Sequence, residues 1–251
     1  MAKPALFTAL LELADDQLIL GHRLSEWCGK GPILEEDLAM SNLALDLIGQ
    51  ARNLYAYAGE VEGKGRSEDD LAYLRLEAEY TNCLLVERSN GDFAHTMLRQ
   101  LYFAAFMQAY WQAALALGDE VVRGIAGKSV KEMAYHVRHC AEWVIRLGDG
   151  TEESARRMAD AVEALHIYTG EMFEMSAAAA ECAKNGVLPN RADLRDGWQT
   201  SIDDIFAQAM LSAPVVAYPQ TGGRYGQHTE AMGHILAELQ YVQRTHPGLR
   251  W

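Results

Sequence analysis

The segment from Ser129 to Gly150, SVKEMAYHVRHCAEWVIRLGDG, constrains the fold more than any other part of this sequence. Its apolar residues recur at steps of three and four, the pattern of a helix with one buried face. The closing LGDG favours a left-handed cap followed by a turn. His136 lies at the edge of the apolar face. The segment therefore predicts a helix that presents an imidazole to a protein core.

The residue three positions before His136 is as informative as the histidine itself. Helical bundles that carry a carboxylate-bridged di-metal centre use Glu-x-x-His on two helices, because positions i and i+3 then point at the same metal. Here that position is Met133, whose thioether is a poor ligand for a hard metal ion. The segment has the form of a metal-binding helix without its carboxylate.

Length and charge limit the classes of protein to which the chain can belong. The 251 residues contain no linker-like tract or internal repeat, which predicts a single domain over residues 1–251. The net charge of −13 disfavours binding to nucleic acid or to anionic membranes. Four isolated cysteines and an N-terminus without a secretory pattern predict a reduced protein in the cytoplasm.

Helical periodicity recurs along the chain, and the only strand-like run is the short VVAY, so we predict an all-α fold. The run from Leu101 to Leu117 is too short and too rich in glutamine for a membrane span, and predicts a buried helix. The predicted helices cover residues 5–27, 34–58, 68–86, 92–117, 129–148 (with a start as early as 119), 151–174, 177–184, 191–211 and 227–244.

The second predicted helix carries a polar stripe beside its apolar face, formed by Asn42, Asp46, Gln50 and Asn53. As a functional site it could supply metal ligands, and as a structural feature it would be a buried hydrogen-bonded network that fixes helix register. Three of the four side chains are amides, which are poor ligands for iron. The structural interpretation is therefore favoured.

Literal acid-x-x-His matches occur at Asp92–His95 and Glu163–His166. With 35 acids and 8 histidines in 251 residues, about one such match is expected by chance. Asp92 is better explained as a helix cap and Glu163–His166 as a solvated helix edge. Glu132 has a similarly local explanation, a capping box with Ser129 if a helix begins there.

Two weaker candidates remain. Glu26 with His22 is either the remnant of a ligand pair or a surface pair one helical turn apart. The glycine-rich turn at Gly222, Gly223 and Arg224 precedes a predicted helix and could hold an anion such as phosphate, although a plain turn is the favoured interpretation. The predicted helix 92–117 contains no acid after Asp92, so it offers no carboxylate to a central metal.

Several segments together resemble a known family. They are LGHRLSEWCG, DLAMSNLALDLIGQARNLYAYAGE, LLVERSNGDFAHTMLRQ, KEMAYHVRHCAEWVIRLGDGTEES and TGGRYGQHTEAMGHILAELQYVQRTHPG. This combination is similar to the C subunits of phenylacetyl-CoA 1,2-epoxidases and covers nearly the whole chain. The resemblance implies a ferritin-like four-helix bundle core with additional flanking helices. It also implies a structural subunit without metal, which pairs with a catalytic A subunit.

The resemblance implies the cofactors and partners of such a system as well. The di-iron centre is expected in the A subunit, and FAD, an iron–sulfur centre and NADPH are expected with the reductase. The assembly also includes a bridging B subunit. Against the A-subunit pattern, the two Glu-x-x-His pairs fall on Leu47 and Gln50 and on Met133 and His136. The former metal space would then be lined by Asn42, Asp46, Leu47, Gln50, Met133 and His136.

Two alternatives stay open at this point. The chain could be a self-sufficient metalloenzyme with an unorthodox site drawn from His136, Asp46, Glu26 or the pair Glu163 and His166. It could instead be a general helical adaptor with no connection to oxygenase chemistry. The non-ligand residues count against the first alternative, and the likeness along the whole chain counts against the second. We expect no catalytic residue and no metal ligand set in this chain.

Overall fold

A computed structural model describes residues 3–249 and is helical, with no β-strand among them. The all-α prediction is confirmed, and the VVAY run is irregular. Eleven α-helices lie within the described residues, joined by short 3-10 turns. They are α1 (Lys3–Ser25), α2 (Leu34–Glu62), α3 (Glu68–Tyr73), α4 (Leu84–Glu87), α5 (Phe93–Ala114), α6 (Glu120–Gly148), α7 (Glu152–Leu165), α8 (Ala177–Lys184), α9 (Arg195–Gln208), α10 (Glu230–Leu239) and α11 (Tyr241–Thr245).

The described residues divide into two compact units. Unit 1 contains residues 3–89, 176–182 and 222–249, and unit 2 contains residues 90–175 and 183–221. That residues 1–251 form a single domain stays a prediction. Residues 1, 2, 250 and 251 lie outside the described part of the chain. No helix between residues 3 and 249 combines the length and the apolar character that crossing a membrane requires.

Unit 1 is built on the pairing of α1 with α2. The Tyr55 hydroxyl reaches Asp15 near the middle of α1, while Gly21 further along α1 lies against Ala44 and Ile48. The residue numbers of the contacting positions decrease along α2 as they increase along α1, so the two helices run antiparallel. A Cβ at Gly21 would lie 2.9 Å from the Ile48 side chain, so glycine permits the close approach here.

Unit 2 is built around α5, which packs against α6, α7 and α9. The α5 sequence, FAHTMLRQLYFAAFMQAYWQAA, is apolar almost all round, and sixteen of its residues are buried. The prediction that this helix is deeply buried is confirmed. Asp92 caps it by accepting a hydrogen bond from the His95 backbone, also as predicted.

Two of the predicted helices end differently because side chains or backbone contacts override the local pattern. The predicted helix 68–86 is interrupted, since α3 ends at Tyr73 and α4 begins only at Leu84. Glycine does not stop α2 at Gly59, where close contact with the Arg66 carbonyl excludes a side chain, and the left-handed cap is Gly63. The helix predicted at 129–148 is α6, which begins at Glu120 with Asp119 as its cap. The earlier of its two predicted starts is therefore confirmed, and the capping box that required a start at Ser129 is wrong.

Some of the later helices are shorter than the periodicity suggested. Thr151 caps α7 as predicted, but α7 ends at Leu165 and continues as a 3-10 helix to Phe173. The last predicted helix, 227–244, is divided at Gln240 into α10 and α11. By contrast, the predicted start of α2 and both ends of α8 are confirmed.

Candidate functional site

The His136 side chain lies on the buried face of α6 in unit 2 and has no solvent exposure. Its Nδ1 atom is 3.0 Å from the Nε2 atom of Gln100 on α5. An amide nitrogen can only donate, so Nδ1 accepts this hydrogen bond. The ring nitrogen that faces α5 is therefore engaged by a neutral partner from the chain itself.

Met133, one helical turn before His136, is also completely buried. Its thioether occupies the place where the Glu-x-x-His pattern of a di-metal site has a carboxylate. The apolar face of α6 packs against α5, and Lys128 pairs with Glu132 at 3.0 Å. The Glu132 side chain is only 12% exposed, so Glu132 lies at the edge of the buried face and is not a capping residue.

The polar stripe predicted on α2 is only partly buried. Gln50 is 2% exposed and Leu47 is completely buried, whereas Asn42 and Asn53 are exposed and Asp46 is half-buried. The interpretation of this stripe as one buried amide network is therefore wrong, because α2 turns its two asparagines to solvent. Gln50 alone among its amides belongs to the interior.

The residues assigned to a former metal space do not fit a di-iron centre. Leu47, Gln50, Met133 and His136 supply an alkyl group, an amide, a thioether and one imidazole. Asp46 is the one carboxylate among the six residues, whereas a di-iron site requires carboxylates from four helices. Within residues 3–249, no three His, Cys, Asp or Glu side chains are grouped to hold a metal ion. Since Leu47 and Gln50 belong to unit 1 and the other two to unit 2, their sharing one space stays a prediction.

The other acid–histidine pairs have local roles. Glu26 is bound by Arg23 at 2.7 Å, and burial lowers the pKa of His22 to about 4. Glu163 is exposed, but His166 is not part of a solvated edge, because it is buried with its Nδ1 atom 3.1 Å from the Tyr102 hydroxyl. That part of the prediction is wrong.

A charged network inside unit 1 was not predicted from the sequence. Asp15 on α1 is fully buried and forms a close ion pair with Arg75. The same carboxylate accepts hydrogen bonds from the Tyr55 hydroxyl at 2.5 Å and from the Thr81 backbone at 2.8 Å. Burial lowers the pKa of Arg75, but the charge of Asp15 outweighs it and raises the pKa above the ordinary value. Arg75 therefore keeps its charge beside Asp15.

The adjacent carboxylate, Asp16, binds the other end of the chain. Both of its oxygens accept hydrogen bonds from Arg224, at 2.8 and 3.0 Å. Arg224 also donates to the carbonyl oxygens of Thr81 and Glu12, at 3.0 and 3.3 Å. Its guanidinium is buried together with the carboxylate of Asp16.

This geometry corrects the predicted anion site at Gly222, Gly223 and Arg224. The anion that Arg224 binds is the carboxylate of Asp16, so its guanidinium does not face an external phosphate. The glycines have a steric role, because a Cβ at Gly223 would collide with the Asn82 carbonyl oxygen. The backbone φ angle of Gly222 is 136°, a value that residues with a side chain rarely adopt.

Glu87, at the end of α4, completes the network. One carboxylate oxygen lies 2.8 Å from His228 Nδ1 and the other accepts from the Thr229 backbone at 2.6 Å. Burial lowers the pKa of His228, but the hydrogen bond to Glu87 and its charge outweigh burial and raise the pKa. Arg23 donates twice to the Glu87 carbonyl, at 2.9 and 3.0 Å.

One signal in the sequence could have indicated this network. The α1 sequence reads ALLELADDQLILG, with three acids inside an otherwise apolar run. Buried carboxylates need partners, so these acids predict basic residues elsewhere. The sequence does not identify the partners, because Arg75 and Arg224 are 60 and 208 residues from their acids.

Comparisons with known proteins place this chain in a family. The family model for phenylacetic acid catabolic proteins matches residues 1–251. A relative from Escherichia coli K12, the C subunit of 1,2-phenylacetyl-CoA epoxidase, is 40% identical over 241 residues, which is 96% of this chain and 97% of the relative. With an all-helical fold and a match over its full length, this chain belongs to the family of phenylacetic acid catabolic proteins.

Proposed function

We propose that this chain is the non-catalytic C subunit of a multicomponent phenylacetyl-CoA 1,2-epoxidase. In this proposal it has a ferritin-like bundle core, and it pairs with the di-iron A subunit and stabilises it in the cytoplasm. A bridging B subunit and a reductase with FAD, an iron–sulfur centre and NADPH complete the system. The chain itself contributes shape and stability and carries out no chemical step.

One observation carries this proposal, the pair of residues at positions 133 and 136. Met133 replaces the carboxylate of a Glu-x-x-His pair, and His136 is hydrogen-bonded to Gln100 at 3.0 Å. Both side chains are completely buried, so they pack as core residues. A chain with this register but without these ligands fits the role of a companion to a metal-carrying relative.

The charged network of unit 1 is consistent with the same role. A subunit without a metal needs other interactions to order its non-helical segments. Here Asp15, Asp16 and Glu87 bind the segments near Arg75, Thr81 and Arg224 through buried hydrogen bonds. The 40% identity to the C subunit of an epoxidase supports the choice of enzyme system.

The first experiment measures iron and manganese per chain in protein purified alone from iron-rich medium. We expect a ratio near zero for both the natural chain and a His136→Ala variant. A ratio approaching two in the natural chain, lost in the variant, would instead support a self-sufficient metalloenzyme and overturn the proposal.

The second experiment tests the pairing. The chain is co-expressed with the A subunit of its own system, and the two are followed by size-exclusion chromatography. We expect co-elution with iron bound to the A subunit, and epoxide formation from phenylacetyl-CoA that requires the A subunit. Separate elution at micromolar concentration would contradict the proposal and favour an unrelated adaptor.

A further inference from the structure

The outer face of α2 in unit 1 exposes a row of leucines. Leu34, Leu38 and Leu45 are 71%, 57% and 65% exposed. Single exposed leucines are normal on protein surfaces, but three on one face of the same helix point to a surface that another element can cover. We call Leu34, Leu38, Leu45 and Gly49 the α2 seam.

The spacing of the seam matches that of a helix-packing surface. Leu34, Leu38, Ser41 and Leu45 are separated by steps of four, three and four, the alternation found at the a and d positions of a coiled coil. The alternation continues at Ile48, which lies against Gly21 of α1, and Gly49 is the residue beside it on the outer side. From Leu34 to Gly49 the seam extends over about 22 Å at the usual helical rise. This length suits a second helix that lies along α2.

Gly49 provides an independent observation. It lies inside a 29-residue helix, where glycine is less favourable than alanine. A Cβ built at this position would meet no atom within 4 Å, so packing within the described chain does not require a glycine here. A glycine one turn after Leu45 does, however, allow close approach of another backbone.

The acidic residues beside the seam favour a partner helix that carries basic residues. Glu35 is exposed next to Leu34, and hydrogen bonds from the Gly31 and Gly29 backbones lower the pKa of Asp37, which keeps it ionised. A partner helix with Lys or Arg beside its own aliphatic row would complement this acidic end. A second copy of the chain would instead bring another net charge of −13.

We propose that the α2 seam is the surface on which a helix of the A subunit packs, with aliphatic residues against Leu34, Leu38 and Leu45 and basic residues beside Glu35 and Asp37. The inference rests on the proposed function, since the A subunit is the partner in that system. It adds the docking face and the chemistry of the helix that it binds.

The test compares two substitutions of equally exposed leucines, Leu45→Glu on the seam and Leu76→Glu outside it, at 65% and 63% exposure. Circular dichroism and thermal unfolding first verify that both variants are folded. We expect unchanged helicity and an unchanged thermal midpoint, because glutamate is tolerated on an exposed surface. We expect Leu45→Glu to weaken the Kd for the A subunit by about 100-fold and Leu76→Glu to leave it unchanged.

Gly49→Ala is a second test, in which the stability of the isolated chain and its affinity for the A subunit should change in opposite directions. In the isolated chain it should raise the thermal midpoint, because alanine is the better helix former and nothing obstructs its Cβ. In the complex it should weaken the Kd by about tenfold, because the methyl group obstructs the close backbone approach. A raised thermal midpoint with an unchanged Kd would show that Gly49 is not part of the interface.

The outcomes separate this inference from the proposed function. If the natural chain does not bind the A subunit, the proposed function fails. If the natural chain binds and Leu45→Glu binds equally well, only the seam is wrong. If the natural chain forms a homodimer that Leu45→Glu dissociates, while binding to the A subunit is unchanged, the seam joins two copies and the inference is overturned.

Discussion

The two buried hydrogen-bonded clusters described above, one in each unit, differ in kind. The cluster of unit 1 contains two acid–arginine pairs, Asp15 with Arg75 and Asp16 with Arg224, and their carboxylates also accept backbone hydrogen bonds. In unit 2 the hydrogen bonds described above join His136 with Gln100 and Tyr102 with His166, although that unit also buries the charged residues Glu171 and Arg191 elsewhere. Each unit is all-helical, so the difference does not follow from the class of fold.

The difference follows from the amount of non-helical backbone that the buried side chains of each unit bind. In unit 1 the buried acids bind residues 75–83 and 222–229, whose backbone groups lack the regular pairing of a helix. In unit 2 the polar pairs lie between α5 and its neighbours, and helices satisfy their own backbone. Charged side chains can bind several backbone groups at once, and neutral ones suffice where helix faces meet.

The largest expected effect comes from removing one partner of a buried ion pair in unit 1. Arg224→Met leaves the Asp16 carboxylate buried without its cation and should lower the free energy of unfolding by about 3–5 kcal/mol. Urea denaturation followed by circular dichroism measures this change.

The matched control is the double variant Arg224→Met with Asp16→Leu. Removing both charges should restore part of the lost stability, because no uncompensated charge remains. If the double variant is as unstable as the sum of its single variants, the two residues do not act as a pair and the contrast between the units fails.

A charge introduced into unit 2 provides the converse test. Met133→Glu restores the Glu-x-x-His motif on α6 but places a carboxyl group at a completely buried position. We expect a loss of about 3 kcal/mol in unfolding free energy at pH 7, because burial penalises the ionised form. Since burial raises the pKa of this carboxyl, the loss should shrink as the pH falls through that pKa.

Met133→Gln, which is similar in size and uncharged, separates polarity from charge. Its stability should not show the additional pH dependence seen with Met133→Glu. Iron uptake by Met133→Glu without destabilisation would show that the interior of unit 2 still accommodates a ligand set.

The smallest effect concerns two histidines whose pKa values move in opposite directions. In unit 1 the pKa of His228 is raised, because its bond to Glu87 and the charge of that residue outweigh burial. In unit 2 burial lowers the pKa of His166, and the charges of Asp203 and Glu163 only partly oppose it. Titrating both imidazoles by NMR tests the two directions directly.

The sign of the stability change differs accordingly. His228 contributes stability that is fully present below about pH 6.5, the unfolded value, and is lost as the pH rises through its folded pKa. His166 penalises folding as the pH falls below about 6.5, because only the unfolded chain then binds the proton. His228→Gln should therefore cost more at low pH, and His166→Gln should reduce the loss at low pH. Equal pH slopes for both variants would contradict the assignment.

Local patterns predicted the helices well where consecutive residues decide the structure. The start of α2, the Asp92 cap and both ends of α8 follow from periodicity and capping alone. The predicted helix 68–86 failed, because Arg75 turns its guanidinium to the carbonyls of Leu71 and Glu79 and to Asp15. These side-chain bonds hold residues 74–83 in a form that no local pattern indicates.

The sequence by itself determined the helical class, the absence of a carboxylate before His136 and the likeness to an epoxidase subunit. These depend on residue identity and on spacings of three or four positions, which a helix converts directly into geometry. The tertiary structure alone decided which acids of α1 meet Arg75 and Arg224, and which leucines of α2 remain exposed. The physical reason is that burial and ion pairing depend on residues far apart in the chain, and only the packed fold determines which of them meet.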